Sequence, residues 1–460
     1  MPSAKFPAAV FKAYDIRGTV PDQLNAHFAF QLGLALGQQA QAQGVQKFVI
    51  GYDGRHSSPE LSEALQQGLM RAGIECIDLG LVPTPLVYFA AHQLDTGSAV
   101  AITGSHNPPE YNGFKMMLGG KTLYGEDITA LHRLMEQPAE NAQAPAINRV
   151  YDPIEDYLSA VTDRVQLERP LRVAIDCGNG ATGVVAEALF KALGCETVML
   201  YDEVDGDFPN HHPDPADPDN LQDLIDAVQT HDCALGLAFD GDGDRLGVVT
   251  PAGEIIWPDR QLILFARDIL ARHPGSTIIY DVKCSRHVGL AIKAAGGVPL
   301  MWQTGHSLIK AKLAETGAPL AGEMSGHIFF VDRWFGFDDG LYTAARMLEI
   351  LSRHSDPGAV LSALPKDHST PELKIEMREG EPHAFVQQLQ QAAFPNATER
   401  ITIDGIRAEY RDGFGLARAS NTTPVVVLRF EADNPQALAR IQDEFKAAIT
   451  QLRPDLTLPI

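Results

Sequence analysis

Cysteine is sparse in this chain. Only five occur, Cys76, Cys177, Cys195, Cys233 and Cys284, scattered, odd in number and with no C-x-x-C pair. That spacing argues against a disulfide framework and against a cysteine-based zinc site, and reduced thiols of a cytoplasmic protein are expected instead. Long apolar runs are missing as well. The opening stretch MPSAKFPAAVFKAYDIRG lacks the apolar core of a signal peptide, and nothing later is long enough to span a bilayer. The N-x-T matches at Asn396 and Asn421 are accordingly expected to carry no glycan. Positive charge is the third shortage: 37 Lys and Arg stand against 59 Asp and Glu, for a net charge of -22. Such a balance argues against nucleic acid and anionic membrane as partners. An anionic small molecule stays compatible where arginines and lysines gather locally. What is present is ample apolar material, 45% against 21% charged over 460 residues, enough for about three or four domains with sizeable cores.

An internal repeat organises that material. KFVIGYDGRHSSPELSEALQQGLMRAGIECIDLG reads as a strand ending at Asp53, a loop, an amphipathic helix, a glycine and a second strand. LRVAIDCGNGATGVVAEALFKALGCETVMLYD repeats the pattern with Asp176 and Gly194, and STIIYDVKCSRHVGLAIKAAGGVPLMWQ repeats it with Asp281 and Gly296. Each is a βαβ unit with parallel strands, which predicts three α/β domains of one plan. From Glu399 onward short strands come first and a helix after them, the pattern of an α+β domain. Joints are expected in EQPAENAQAPAINRVYDP, around TPAGEIIWPD and in LSALPKDHSTPEL. The expected domains are therefore 1–149, 150–251, 252–366 and 367–460.

Five loops could carry chemistry. Gly178-Asn-Gly-Ala-Thr-Gly183 follows a strand, opens a helix and is followed by Asp202, which is most of a dinucleotide fingerprint. Asp176 stands where a pyrophosphate would approach and would repel it, so a tight strand-to-helix turn is the competing reading. In LGLAFDGDGDRLGVVT, Asp240, Asp242 and Asp244 alternate with glycines, and Arg245 follows. Three carboxylates so close repel one another unless a cation sits among them, and an all-oxygen set favours Mg²⁺, Mn²⁺ or Ca²⁺ over zinc. An EF-hand is excluded because its sixth position is Arg245 and its twelfth is Pro251. A haloacid-dehalogenase pattern with Asp240 as nucleophile also begins D-x-D, but Asp244 stands where that pattern has Thr or Val. LAGEMSGHIFF presents Glu323, Ser325 and His327, and a carboxylate there can accept hydrogen bonds from neighbouring hydroxyls, the pattern a sugar offers. LARASNTTPVVV gathers Arg418, Ser420, Asn421 and Thr422 into a candidate phosphate cradle, with a polar turn as the bland reading. The fifth, AITGSHNPPEYNGFK, offers Ser105 between a glycine and a histidine, with Lys115 further on. One chemistry unites four of them: a hard cation beside a phosphoryl group on Ser105, a second phosphate held by Arg418 and its neighbours, and a sugar gripped by Glu323 and Ser325.

The set T-G-S-H-N-P (103–108), D-G-D-G-D-R (240–245), G-E-M-S-G-H (322–327) and R-A-S-N-T-T-P (418–424) resembles the α-D-phosphohexomutase family over the whole chain and in the family's order. The resemblance implies three related αβα (Rossmann-like) domains and a C-terminal α+β domain around a central cleft. It implies a phosphoserine at Ser105, with Asp240, Asp242, Asp244 and a phosphoserine oxygen as Mg²⁺ ligands. Glu323 and Ser325 match sugar-binding positions, and Arg418, Ser420, Asn421 and Thr422 match phosphate-binding ones. Tyr14 and Arg17 in AYDIRG, Lys283 in YDVKCS and His306 in TGHSLIK are further matches, and His327 would orient the sugar loop. His106, Lys115, Arg17 and Arg245 are the candidate proton or charge partners. The implied activity is reversible conversion of hexose 1-phosphate to hexose 6-phosphate, for mannose and/or glucose, through a 1,6-bisphosphate. Glucose 1,6-bisphosphate or mannose 1,6-bisphosphate would be intermediate and activator, and a monomer the working form. Phosphoglucosamine mutases typically carry glutamine where this chain has Met324, which disfavours an amino sugar. A metal-dependent phosphatase using Asp240, and a non-catalytic sugar-phosphate sensor, are the readings from other classes.

Overall fold

The computed structural model describes residues 6–137, 147–421 and 423–460. The chain divides into two compact units, Met1–Gln261 with His306–Ala363, and Leu262–Gly305 with Leu364–Ile460. Residues of the stretch 252–366 fall in both. The joint expected at 136–153 lies partly outside the described residues.

All three βαβ repeats form. The first runs from strand Lys47–Tyr52 through helix Ser58–Arg71 to strand Glu75–Leu81, the strands parallel with Lys47 opposite Glu75. That helix has proline and Glu60 in its first turn and Arg71 in its last, each suited to the helix dipole at its end. Leu61, Leu65 and Leu69 recur every fourth residue and are buried, the periodicity that turns one helix face inward. The second repeat joins Arg172–Asp176 to Glu196–Leu200 through helix Ala186–Ala192. In the second unit, Thr277–Asp281 and Val298–Trp302 flank helix Arg286–Ala294.

The repeats omit one feature, an antiparallel return strand after each candidate loop. Strand Ala99–Ile102 lies parallel to Lys47–Tyr52 but antiparallel to Tyr111–Leu118, with Ile102 opposite Phe114. Leu235–Phe239 is likewise parallel to Arg172–Asp176 and antiparallel to Leu246–Val249, with Phe239 opposite Leu246. Leu320–Gly322 and Ile328–Phe330 form a third hairpin, with Gly322 opposite Ile328. Gly413–Ala419 and Val425–Ala432, in the second unit, form a fourth, with Ala419 opposite Val426. Every motif of the four-loop set is thus a hairpin tip. Two paired strands fix where such a tip leaves the sheet, which a single strand end would not do.

One core of the first unit gathers Phe28, Phe48, Ile50, Ile102 and Phe114 under the Ser105 hairpin. Each such buried side chain contributes about 1.5–3 kcal/mol. In the second unit, an antiparallel sheet runs in the order His368–Ser369, Val425–Ala432, Gly413–Ala419, Ile406–Tyr410, Glu399–Ile401. Ala417 and Ala419 face helices Glu381–Leu389 and Pro435–Leu452, while Phe414 and Leu416 face Val282, the alternation of a half-covered sheet. The α+β reading from Glu399 onward holds, and helix Glu381–Leu389 precedes those strands. Among the described residues no helix is long and apolar enough to cross a membrane.

Candidate active site

Ser105 is 1% exposed and its backbone has φ of +49°, a left-handed conformation that costs a non-glycine residue about 1–2 kcal/mol. Its Oγ donates to Asp240 Oδ2 at 2.9 Å and lies 3.2 Å from His106 Nδ1. The hydroxyl noticed in the sequence therefore meets both an acidic loop 135 residues away and an imidazole. Burial, then Arg245 and Arg17, push the His106 pKa well below its ordinary value, so the ring is neutral. Arg17 itself is paired with Asp15 at 2.6 Å.

The alternation in D-G-D-G-D-R has a steric cause at each glycine. A Cβ on residue 241 would lie 2.4 Å from the Ser105 carbonyl oxygen, so only glycine lets the two tips meet. Gly243 has φ of +77°, which glycine adopts without penalty. Asp240, Asp242 and Asp244 each offer an oxygen within 4.8 Å of the others, all buried. Lys115 Nζ reaches Asp242 Oδ2 at 2.7 Å and Asp244 Oδ2 at 2.5 Å. Burial alone would lower the lysine's pKa, but Asp242 and Asp244 raise it well above the ordinary value. Burial, and then Asp244 and Asp242, raise the Asp240 pKa well above the carboxylate range. One lysine, with Arg245 Nε 3.9 Å from Asp240 Oδ2 and 4.0 Å from Asp244 Oδ1, leaves three carboxylates short of positive charge. Asp242 Oδ1 and Asp244 Oδ1 are buried without a hydrogen bond. A hard divalent cation fits this all-oxygen set.

The third tip is joined to the second. Arg245 and His327 form a β-bridge, and Arg245 Nε approaches His327 Nε2 at 3.1 Å. His327 Nδ1 lies 3.0 Å from Asp338 Oδ2, which is also 3.8 Å from His306 Nδ1, while Lys310 Nζ holds Asp338 Oδ1 at 3.0 Å. Burial and then Lys310 depress the His306 pKa, so that ring too is neutral. Tyr14 meets His306 edge-on at 5.4 Å. Glu323 is 2% exposed, and Ser325 Oγ donates to its Oε2 at 3.3 Å. Ser105, His106, Lys115, Arg17, Arg245, Tyr14, His306, Glu323, Ser325, His327 and the three aspartates all belong to the first unit.

The remaining candidates belong to the second. Arg418 Nε donates to Asp404 Oδ2 at 2.9 Å, and Thr423 Oγ1 donates to Ser420 Oγ at 3.0 Å. Asn421 is half-buried at the tip, and Thr422 lies outside the described residues. Lys283 Nζ holds Glu372 Oε1 at 2.7 Å; Arg429 donates to the Lys283 carbonyl. Lys283, Arg429 and Arg418 all lower the pKa of Glu372, which marks a shared cationic seat.

Several residues here escaped the sequence reading. Thr84 donates its hydroxyl to Asp242 Oδ2 at 2.6 Å and its backbone N–H to the Asp242 carbonyl at 2.9 Å. Asp338 lies near both histidines, and the adjacent acids of FDDG just before helix Gly340–Ser352 were the available signal. Arg429 had none beyond strand alternation from Arg418. The G-x-G-x-x-G loop is a tight turn. Asp176 accepts from Gly178 N at 2.8 Å and from His211 Nε2 at 2.9 Å, and the Gly241 carbonyl accepts from Ala181 N at 3.0 Å. The turn backs the acidic loop.

A hydroxyl, three buried carboxylates and a further buried carboxylate on adjoining hairpin tips are the parts that phosphoryl transfer to a sugar asks for, set on an α/β scaffold. Comparison with known proteins gives the family. Profiles described as phosphoglucomutase/phosphomannomutase alpha/beta/alpha domains I, II and III match residues 8–142, 155–253 and 257–368, and the C-terminal domain profile matches 372–448. A Pseudomonas aeruginosa protein named phosphomannomutase/phosphoglucomutase is 51% identical over 98% of each chain. A Neisseria gonorrhoeae protein named phosphoglucomutase is 53% identical, again over 98% of each. The crystal structure of a phosphoglucomutase/phosphomannomutase family protein from Burkholderia thailandensis superimposes with a TM-score of 0.94 at 52% identity, covering 99% of this chain and 100% of that one. The chain belongs to the phosphoglucomutase/phosphomannomutase family, and it is an isomerase with that family's four-domain architecture. These names do not favour the phosphatase or the phosphoglucosamine mutase alternative.

Proposed function

We propose that this isomerase moves a phosphoryl group between O1 and O6 of a hexose, with glucose and mannose both accepted, using Ser105 as the carrier. Phosphorylated Ser105 gives its phosphoryl group to the free hydroxyl of a hexose monophosphate. The sugar oxygen bonds to phosphorus, the bond from phosphorus to Ser105 Oγ breaks with its electron pair on the serine oxygen, and the sugar hydroxyl's proton passes to a base. A 1,6-bisphosphate results. After it turns over, Ser105 recovers the other phosphoryl group, and the proton returns to the sugar oxygen.

The observation that carries this reading is the meeting of Ser105 Oγ with Asp240 at 2.9 Å and His106 at 3.2 Å. The approach of His106 Nδ1 supports it as the base, whereas two carboxylates on Lys115 support a charged ammonium there. Asp240, Asp242 and Asp244 would hold Mg²⁺, which when bound neutralises charge on the transferring group. Arg245 and Arg17 add fixed positive charge. Glu323 and Ser325 would grip hydroxyls common to both orientations of the sugar, a grip that ignores C2, where glucose and mannose differ. Arg418, Ser420, Asn421 and Lys283 would take a phosphate, His306 and Tyr14 would line the sugar, and His327 would steady the Glu323 loop through Asp338. The reading includes a cytoplasmic monomer whose partner is a phosphosugar rather than nucleic acid or membrane, in keeping with the net charge.

The test is an assay of glucose 1-phosphate and mannose 1-phosphate with Mg²⁺ and a bisphosphate primer. Ser105→Ala should abolish isomerisation of both sugars, and Glu323→Ala should depress both together. Full activity of Ser105→Ala, or a hydroxylamine-labile phosphate on Asp240, would overturn the reading.

A further inference from the structure

Arg55 lies in none of the sequence motifs, yet it is among the largest fully buried side chains, at 1% exposure. A guanidinium carries five N–H donors in a rigid plane, and here five acceptors meet them. Nη1 donates to the carbonyls of Pro108 at 2.5 Å and Tyr111 at 3.0 Å. Nη2 donates to the carbonyls of Ser105 at 2.9 Å and Asn107 at 2.6 Å. Nε donates to Asp53 Oδ2 at 3.1 Å, and the same oxygen accepts from Gly104 N at 3.0 Å. Four carbonyls of one loop therefore converge on a single cation. Without it the dipoles of these buried and part-buried carbonyls would repel one another. The Phe208 ring covers the guanidinium at 5.2 Å and shuts it from solvent.

The fit leaves no slack at the neighbouring glycine. A Cβ on residue 104 would lie 2.3 Å from Arg55 Nε and 2.4 Å from its Cζ, so Gly104 and Arg55 are a matched pair. Ser105, next in the chain, is held at a left-handed φ of +49°. Contacts on its carbonyl and on Gly104 N, with Ser105 N donating to Thr103 Oγ1 at 2.7 Å, hold the backbone on either side of that conformation.

We propose that Arg55 is a positioning residue for phosphoryl transfer: it winds the 104–111 loop around one guanidinium and so sets Ser105 Oγ against Asp240 and His106. This rests on Ser105 being the phosphoryl carrier. Because every Arg55 donor is spent on the protein, the side chain does not touch substrate, and its loss should spare binding while slowing chemistry.

Arg55→Lys tests it. A lysine keeps the charge but brings three donors to five acceptors. Steady-state assay with glucose 1-phosphate, Mg²⁺ and glucose 1,6-bisphosphate should show kcat down by about a hundredfold, the scale of a 1 Å misplacement of a reacting group, with KM within about threefold of wild type. Single-turnover transfer from the phosphorylated enzyme to glucose 1-phosphate should slow by the same factor. Gly104→Ala, which pushes the guanidinium aside without removing it, should give the same split, and it decides the matter if Arg55→Lys does not fold. A kcat within threefold of wild type in the folded variant, or a loss carried by KM, would overturn the proposal. An inactive wild type would instead sink the mutase reading itself, so the two failures are distinguishable.

Discussion

Gly241→Ala is a small change with a calculable consequence. The added methyl would sit 2.4 Å from the Ser105 carbonyl oxygen and 3.3 Å from Pro213 Cγ. The first distance is about 1 Å short of van der Waals contact, so the Ser105 tip and the aspartate tip must part by roughly that amount. The backbone at 241 is not left-handed, so the cost is crowding alone, about 1–3 kcal/mol for an overpacked interior. A separation of about 1 Å between the phosphoryl carrier and its aspartates should lower kcat roughly a hundredfold, with a thermal midpoint a few degrees lower. Gly44→Ala is the control. Gly44 has φ of +75°, and a Cβ there would meet nothing within 4 Å, so alanine should cost about 1 kcal/mol of stability and no activity. Steady-state rates and scanning calorimetry on both variants check the pair. Wild-type kcat in Gly241→Ala would refute the steric account of the alternating glycines.

Three further outcomes follow from buried charge. Asp240 titrates well above its ordinary 3.8, so between those values the folded chain binds a proton the unfolded chain has released; metal-free stability should fall as pH rises through that window, and stabilisation by Mg²⁺ should grow with pH, read as midpoint shifts with and without the ion. A pH-independent Mg²⁺ shift would contradict this. Lys115→Met leaves Asp242 and Asp244 buried without their cation; a loss of about 3–5 kcal/mol is expected in denaturant titrations, partly restored by Mg²⁺, and an unchanged midpoint would count against the pairing. Asp339 is pushed up to about 7 by burial, against hydrogen bonds from Tyr342 N, Tyr157 and Trp334. Its contribution is present below the ordinary carboxylate range and lost as pH rises toward 7, so Asp339→Asn should flatten the fall in stability between pH 5 and about 7; a slope identical to wild type would refute it.

The sequence carried the four tips and the three repeats because both are local. A helix face declares itself every fourth residue, as Leu61, Leu65 and Leu69 do, and D-G-D-G-D is legible as mutual repulsion seeking a cation. Residues that reach a loop from far away were not legible. Thr84 meets Asp242 across 158 positions, and Arg55 meets Ser105 across 50; neither lies in a motif whose chemistry asks for it. The return strands were hidden for another reason. Short apolar runs such as Leu246–Val249 are equally compatible with parallel and antiparallel neighbours, so the antiparallel pairing at all four tips emerged only with the structure. The G-x-G-x-x-G segment shows the reverse hazard. Its third glycine, Gly183, is required because a Cβ would lie 2.1 Å from the Asp202 carbonyl, a packing need that imitates a nucleotide fingerprint.

The central claim is that Ser105 lends a phosphoryl group and takes one back. Its most direct test is to load the protein with Mg²⁺ and glucose 1,6-bisphosphate carrying isotope-labelled phosphates, map the labelled phosphate by peptide mass spectrometry, and then chase with unlabelled glucose 1-phosphate. The account expects one acid-stable labelled phosphate on the Ser105 peptide, its label passing to hexose phosphate on the timescale of turnover while the peptide stays phosphorylated with unlabelled phosphate. A phosphate on another residue, or a label on Ser105 that survives the chase while isomerisation proceeds, would contradict it.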